Sequence, residues 1–181
     1  MKKKMAIAAT AIALVLCFAI GGTLAWLVAK TGPVVNTFTY GDINIELAET
    51  QSEYKMIPGT NIKKDPKVTV KANSEDCWLF VEVKETENFD SFMTYTIAEG
   101  WNALDGVAGV YYREVAAATN NVDFEVLKND QVTVKDTVIK QDLNALTEDT
   151  YPKLTFTAYA VQKDGFNNAA DAWAKAHPSN P

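Results

Sequence analysis

The chain has 181 residues, 48% of them hydrophobic, with 17 basic residues against 23 acidic and a formal charge of −6. An acidic balance argues against nucleic acid and anionic membrane surfaces as partners, because both reward basic patches. Two cysteines and a single histidine leave little material for a disulfide framework or a histidine-rich metal centre.

Lys2, Lys3 and Lys4 precede an uncharged apolar run from Met5 to Val28, interrupted by Gly21-Gly22-Thr23-Leu24-Ala25. A basic start, an apolar middle and a small-residue exit make up a secretory signal peptide. Thr23 and Ala25 occupy the small-residue positions that a signal peptidase uses, so cleavage is expected between Ala25 and Trp26. The alternative is an uncleaved anchor, since Ala6 to Val28 is long enough to cross about 30 Å of hydrocarbon. The glycine pair weakens that spanning helix and suits processing. Removing residues 1–25 takes away three lysines and no acid, leaving 14 basic and 23 acidic residues, a charge of −9 over 156 residues. That length suits one domain with a sizeable core. Cys17 leaves with the signal, and Leu16 beside it does not fit a lipid-attachment motif. Cys77 then stands alone, so an internal disulfide is excluded.

From Asn36 onward the pattern is that of β-structure. Phe38 and Tyr40 share one parity, and Ile43, Ile45 and Leu47 share the other, so Gly41-Asp42 is expected to reset the register as a bulge or turn. Residues 49–66 are polar, contain Pro58-Gly59 and Pro66, and read as a loop. Lys67 to Ala72 alternates, with Val68, Val70 and Ala72 inward. Asn73-Ser74-Glu75-Asp76 reads as a turn, and Cys77 to Glu85 as a second strand, the two forming a hairpin. On that strand Cys77, Leu79, Val81 and Val83 make one face, Trp78 and Phe80 the other.

Residues 86–108 hold Phe89, Phe92, Met93 and Trp101 without a sustained period, and Asp105-Gly106 marks a turn. Strands are expected at Val110 to Val115, Val122 to Leu127 and Val132 to Ile139, with turns at Asn120-Asn121 and Asn129-Asp130. Gln141 to Thr147 suits one or two helical turns. Leu154 to Gln162 is apolar on both faces, which places it centrally in a sheet. Asn167 to Ala176 reads as a helix with Ala169, Trp173 and Ala176 on one face, Trp173 docking onto the sheet. Eight or nine short strands with one or two short helices make a mainly β chain, a β-sandwich of jelly-roll or immunoglobulin-like kind. The expected organisation is a signal peptide over 1–25, an N-terminal donor strand over 26–38, and the sandwich domain over 39–181.

Catalytic constellations are sparse. His177 sits in a tail expected to fray, no His-Glu-x-x-His helix exists, and Cys77 falls inside an apolar strand. Glu85, Glu87 and Asp90 read as solvated strand-end charges. Asn120 to Asp123 and Asp164 to Asn167 offer oxygen ligands but match no defined calcium-loop spacing. No enzyme activity, metal or cofactor is expected. What remains is an apolar, strand-compatible new N-terminus, Trp26 to Val35, short of partners in its own hairpin. An open sheet edge on a sister molecule accepts such a segment, with Trp26, Val28, Val34, Val35 and Phe38 as anchors. Each large apolar group fully buried contributes roughly 1.5–3 kcal/mol against about 1–2 kcal/mol per residue of ordering. Repetition of that head-to-tail contact builds a fibre. The simpler outcome is that the segment packs into its own domain's edge or frays.

Lys2-Lys3-Lys4, Gly21-Gly22-Thr23-Leu24-Ala25-Trp26 and Asn36-Thr37-Phe38-Thr39-Tyr40-Gly41-Asp42-Ile43 resemble the camelysin/TasA family of Gram-positive exported proteins. Lys67 to Val83, Leu154 to Gln162 and the tail with Ala172-Trp173 are similar to that family's core. Val28-Ala29 stand where family members often carry Thr-Asp. The resemblance implies a jelly-roll sandwich released by a SipW-type signal peptidase and assembled, with itself as partner, into extracellular biofilm-matrix fibres. It also implies that a subunit's N-terminal strand, here roughly Trp26 to Phe38, completes the next subunit's sheet, and that the membrane is met only through the uncleaved signal. Camelysin is described as a surface metalloprotease, which supplies one alternative. A monomeric surface adhesin or carbohydrate-binding module using Trp101, Tyr111 and Tyr112 is the other.

Overall fold

The structure is a computed structural model and describes residues 28–31, 43–50 and 54–177. Two long strands organise it. β5 (Cys77–Glu85) and β11 (Leu154–Gln162) carry apolar residues at both parities, so each needs cover on both faces and neighbours on both edges. They pair antiparallel from Cys77 opposite Gln162 to Glu85 opposite Leu154. Around them β1 (Val28–Thr31), β8 (Val110–Val115) and β7 (Asn102–Ala103) complete a five-stranded sheet in the order β1-β11-β5-β8-β7.

Two smaller antiparallel sheets lie against it. One has the order β2-β4-β9, formed by Ile45–Ala48, Lys67–Val70 and Val122–Glu125. The other has the order β3-β10-β6, formed by Asn61–Lys63, Leu127–Val134 and Met93–Ile97. All three sheets feed one core. Cys77, Leu79, Val81, Val83, Ala158 and Ala160 meet Ile45, Val68 and Val70 from one small sheet and Leu127, Val132 and Val134 from the other. The chain is thus mainly β, with eleven strands and three short helices among the described residues. The helices are α1 (Phe89–Phe92), α2 (Lys140–Asn144) and α3 (Ala169–Ala176).

The outer face of the large sheet is covered separately. Trp78, Phe80, Val110, Tyr159 and Val161 pack under Leu104 and under Ala169, Ala172 and Trp173 of α3. Asn168 caps this helix, its side-chain oxygen accepting the Asp171 N–H at 2.9 Å. The two parities of β5 therefore enter two different apolar clusters.

Several expectations are corrected. β4 and β5 are not a hairpin: β4 pairs with β2 and β9, and β5 with β11 and β8. Alternation alone cannot say which sheet a strand joins. Here Asn73, at φ 61°, and Ser74, bridged to Ala118, lead the chain round a corner between sheets. Asn129-Asp130 does not end a strand. Both residues take positive φ (58° and 52°) inside β10, where the register against β6 shifts between Leu127 and Val132. That is a bulge in a continuing strand. The expected loop 49–66 contains β3, a polar edge strand held by Gln131 to Thr133 of β10. Thr69, placed outward by its parity, is 9% exposed because its hydroxyl donates to Asp123 at 2.6 Å. The bulge expected at Gly41-Asp42, with Phe38 and Tyr40, lies outside the described residues.

Candidate functional site

The site to which the sequence points is the expected donor segment and the sheet edge on which part of it lies. β11 is rich in alternating Thr, Phe, Tyr and Val, residues that fit a pleated and buried surface. Its inner side buries Phe156, Ala158 and Ala160 in the common core, while Tyr159 and Val161 enter the cluster under α3. One backbone edge of β11 bonds β5. The opposite edge carries β1 in antiparallel register, with Val28 opposite Val161, Ala29 opposite Ala160, Lys30 opposite Tyr159 and Thr31 opposite Ala158. In the single chain, four residues of the expected donor segment thus fill the chain's own sheet edge. Trp26, Val34, Val35 and Phe38, and the cleavage-site residues Thr23 and Ala25, lie outside the described residues.

The face of β11 above this edge is firmly held. The Tyr159 hydroxyl donates to Glu82 Oε2 at 3.1 Å, and burial, with the Glu82 charge beside it, pushes the phenol up to about 12. The Trp173 indole meets Tyr159 edge-on at 5.3 Å and Phe80 at 5.2 Å. His177 was expected in a frayed tail. Instead its ring stacks on Trp173 at 3.7 Å and its backbone N–H donates to the Trp173 carbonyl at 3.0 Å, because an aromatic shelf ends the helix. That edge is therefore built on a strand whose own position does not depend on β1 alone.

Several other chemistry-bearing residues have structural employment. Cys77 is fully buried and its thiol is pushed up to about 12, mainly by loss of hydration, so it is no nucleophile near neutrality. Asp123 accepts from Thr69 and pairs with Lys67 at 3.1 Å, and Asn121 accepts the Ala72 N–H at 2.9 Å. Glu85 accepts the Tyr95 hydroxyl at 2.6 Å. Among the described residues no group of three His, Cys, Asp or Glu side chains is placed to hold a metal ion.

The aromatics expected to serve an adhesin are only partly accessible. Trp101 is 8% exposed, its indole N–H donating to the Glu125 carbonyl at 2.8 Å, and Tyr111 and Tyr112 are half-buried. Arg113 is a residue that sequence reasoning passed over. It is the only arginine in the chain, and that solitude beside two tyrosines was the available signal. Among the described residues no helix is long and apolar enough to cross a membrane. No known family, characterised protein or solved structure matches the chain.

Proposed function

We propose that the chain is an exported, non-enzymatic structural protein, cut before Trp26, whose freed N-terminal strand passes to the β11 edge of a sister molecule. The product is a head-to-tail extracellular fibre of the biofilm-matrix kind, built from jelly-roll subunits. The observation that carries this reading is the antiparallel seating of Val28–Thr31 on β11 at the end of the sheet order. The same ladder serves equally well when the strand comes from another copy, which is the logic of strand swapping. Residues 32–42, ahead of the buried Ile43, span at most about 40 Å when extended, far enough to carry the strand beyond a domain of this size. Because inside and outside pairing use the same contacts, concentration decides between them: closure within a chain competes at a millimolar effective concentration for a short link.

A reversible lock tests this. Ala29 and Ala160 stand opposite each other, and cysteines at facing positions of antiparallel strands fall within disulfide range. Processed protein carrying Ala29→Cys and Ala160→Cys stays monomeric when oxidised and forms fibres once reduced. Imaging by electron microscopy before and after reductant reads the result. Fibres from the oxidised, internally cross-linked protein overturn the proposal.

A further inference from the structure

Arg113 on β8 occupies an unusual setting. Its guanidinium carbon lies 4.0 Å from the centre of the Phe124 ring and 5.3 Å from that of Trp101. Gly100, at φ 85°, makes room: a Cβ there would stand 2.8 Å from one terminal nitrogen. Yet no carboxylate, carbonyl or hydroxyl among the described residues accepts a hydrogen bond from this cation, and its Nε is buried without a partner. Partial burial lowers its pKa from the usual value, as for a guanidinium partly withdrawn from water with no anion paired to it among the described residues. A partly desolvated cation of this kind is stabilised by an anion brought to its open side.

Arg113 opens on a groove of about 700 Å³ between β4, β8, β9 and the start of β10. The other cations of its wall are already engaged: Lys67 with Asp123 at 3.1 Å and Lys128 with Glu99 at 3.8 Å. Glu125 adds a further negative charge to the rim.

We infer that this groove binds a monocarboxylate, held by the terminal nitrogens of Arg113. A planar carboxylate matches the planar donor fork of a guanidinium. The two rings fix the orientation of that fork before the ligand arrives, which lowers the ordering cost of binding. A phosphate dianion brings a second charge that the engaged lysines do not meet and that Glu99, Asp123 and Glu125 oppose. A small free acid and the terminal carboxylate of a peptide share the required chemistry.

With one arginine, the protein gives one arginine Nε–H cross-peak in a proton–nitrogen correlation spectrum. Titrating processed protein with acetate and N-acetylglycine at constant ionic strength displaces that peak saturably. Chloride and the neutral N-acetylglycinamide leave it in place. Arg113→Lys, followed through the Phe124 and Glu125 amides, weakens carboxylate binding by about tenfold or more, the scale of a lost charge-assisted bidentate contact. N-acetylglycine binding tighter than acetate assigns the site to a peptide terminus, and equal binding assigns it to free acids. A drift that chloride reproduces, saturation by phosphate below the acetate range, or undiminished binding by a folded Arg113→Lys protein overturns the inference. The wild-type titration decides alone if that variant does not fold.

Discussion

The rings of Trp173 and His177 lie face to face, 3.7 Å between centroids and 23° between planes, with Tyr159 edge-on to both. Trp173 is the main cover over the outer face of β11 and β5. Trp173→Ala removes that cover and leaves a cavity lined by Phe80 and Tyr159. The expected loss is about 3–5 kcal/mol of folding stability, the range for truncating a buried tryptophan. Urea denaturation followed by far-ultraviolet circular dichroism measures it; a loss below about 1 kcal/mol would show that α3 does not anchor the sheet.

Cys77 gives a pH test. Its native pKa of about 12 stands above the ordinary thiol value of 9.0 because folding removes water from the group. The unfolded chain ionises first as pH rises, so the Cys77 contribution to stability is intact below pH 9 and is lost progressively toward pH 12. Wild-type protein should therefore lose more stability than Cys77→Ala between pH 8 and pH 11 in parallel denaturations. In the native state the thiol should also resist alkylation that completes readily in denaturant. Rapid native labelling would contradict its burial.

Gly109 is fixed by geometry. It sits at φ 73°, its carbonyl accepts the Val83 N–H at 2.7 Å, and a Cβ would stand 2.5 Å from the Val83 carbonyl oxygen. Gly109→Ala combines a strained backbone with a clash against backbone, so a cost of at least about 1–3 kcal/mol is expected. Gly106 at φ 78° has open space around it, and Gly106→Ala isolates the backbone term. Equal costs for the two would refute the close approach.

Removing residues 26–38 from the processed chain uncovers the β11 edge. A synthetic peptide of that segment, added in trans, should bind and raise the melting temperature of the truncated protein. A peptide with proline at both Ala29 and Lys30 should not. Consecutive residues of a strand point their N–H groups to opposite sides, so one of the two prolines necessarily removes a ladder bond. Calorimetry with both peptides separates strand addition from nonspecific adhesion; equal binding of the two would rule out a backbone ladder.

Much of the fold was legible where local chemistry and tertiary fate agree. β8 and β11 run over the predicted bounds, since turn residues flank both and β11 is apolar on both faces. Ile43 and Ile45 bury as their parity demands. The failures share a cause. Alternation in Lys67 to Val83 specifies two strands but holds no information about their sheet partners, which are set by residues far along the chain. Asn129-Asp130 carry turn chemistry, yet Leu127 and Val132 are pulled into one strand by the core on both sides of them. At the candidate site, the two apolar faces of β11 were readable, but not that its outer edge carries β1, which depends on a partner far along the chain. The solitary charge of Arg113 was not readable either, because the neutralising partner it lacks is a property of space rather than of spacing.

β11 joins the first and last elements of the described residues: β1 lies along its edge and α3 lies across its face. Synthesis runs in one direction, so the first strand of the domain emerges long before the strand that it pairs with. Throughout that interval the leading segment has no home within its own molecule. If the strand passes between copies as proposed, a finished neighbour with a vacant edge meets it during this period, and the order of emergence then favours joining over closure.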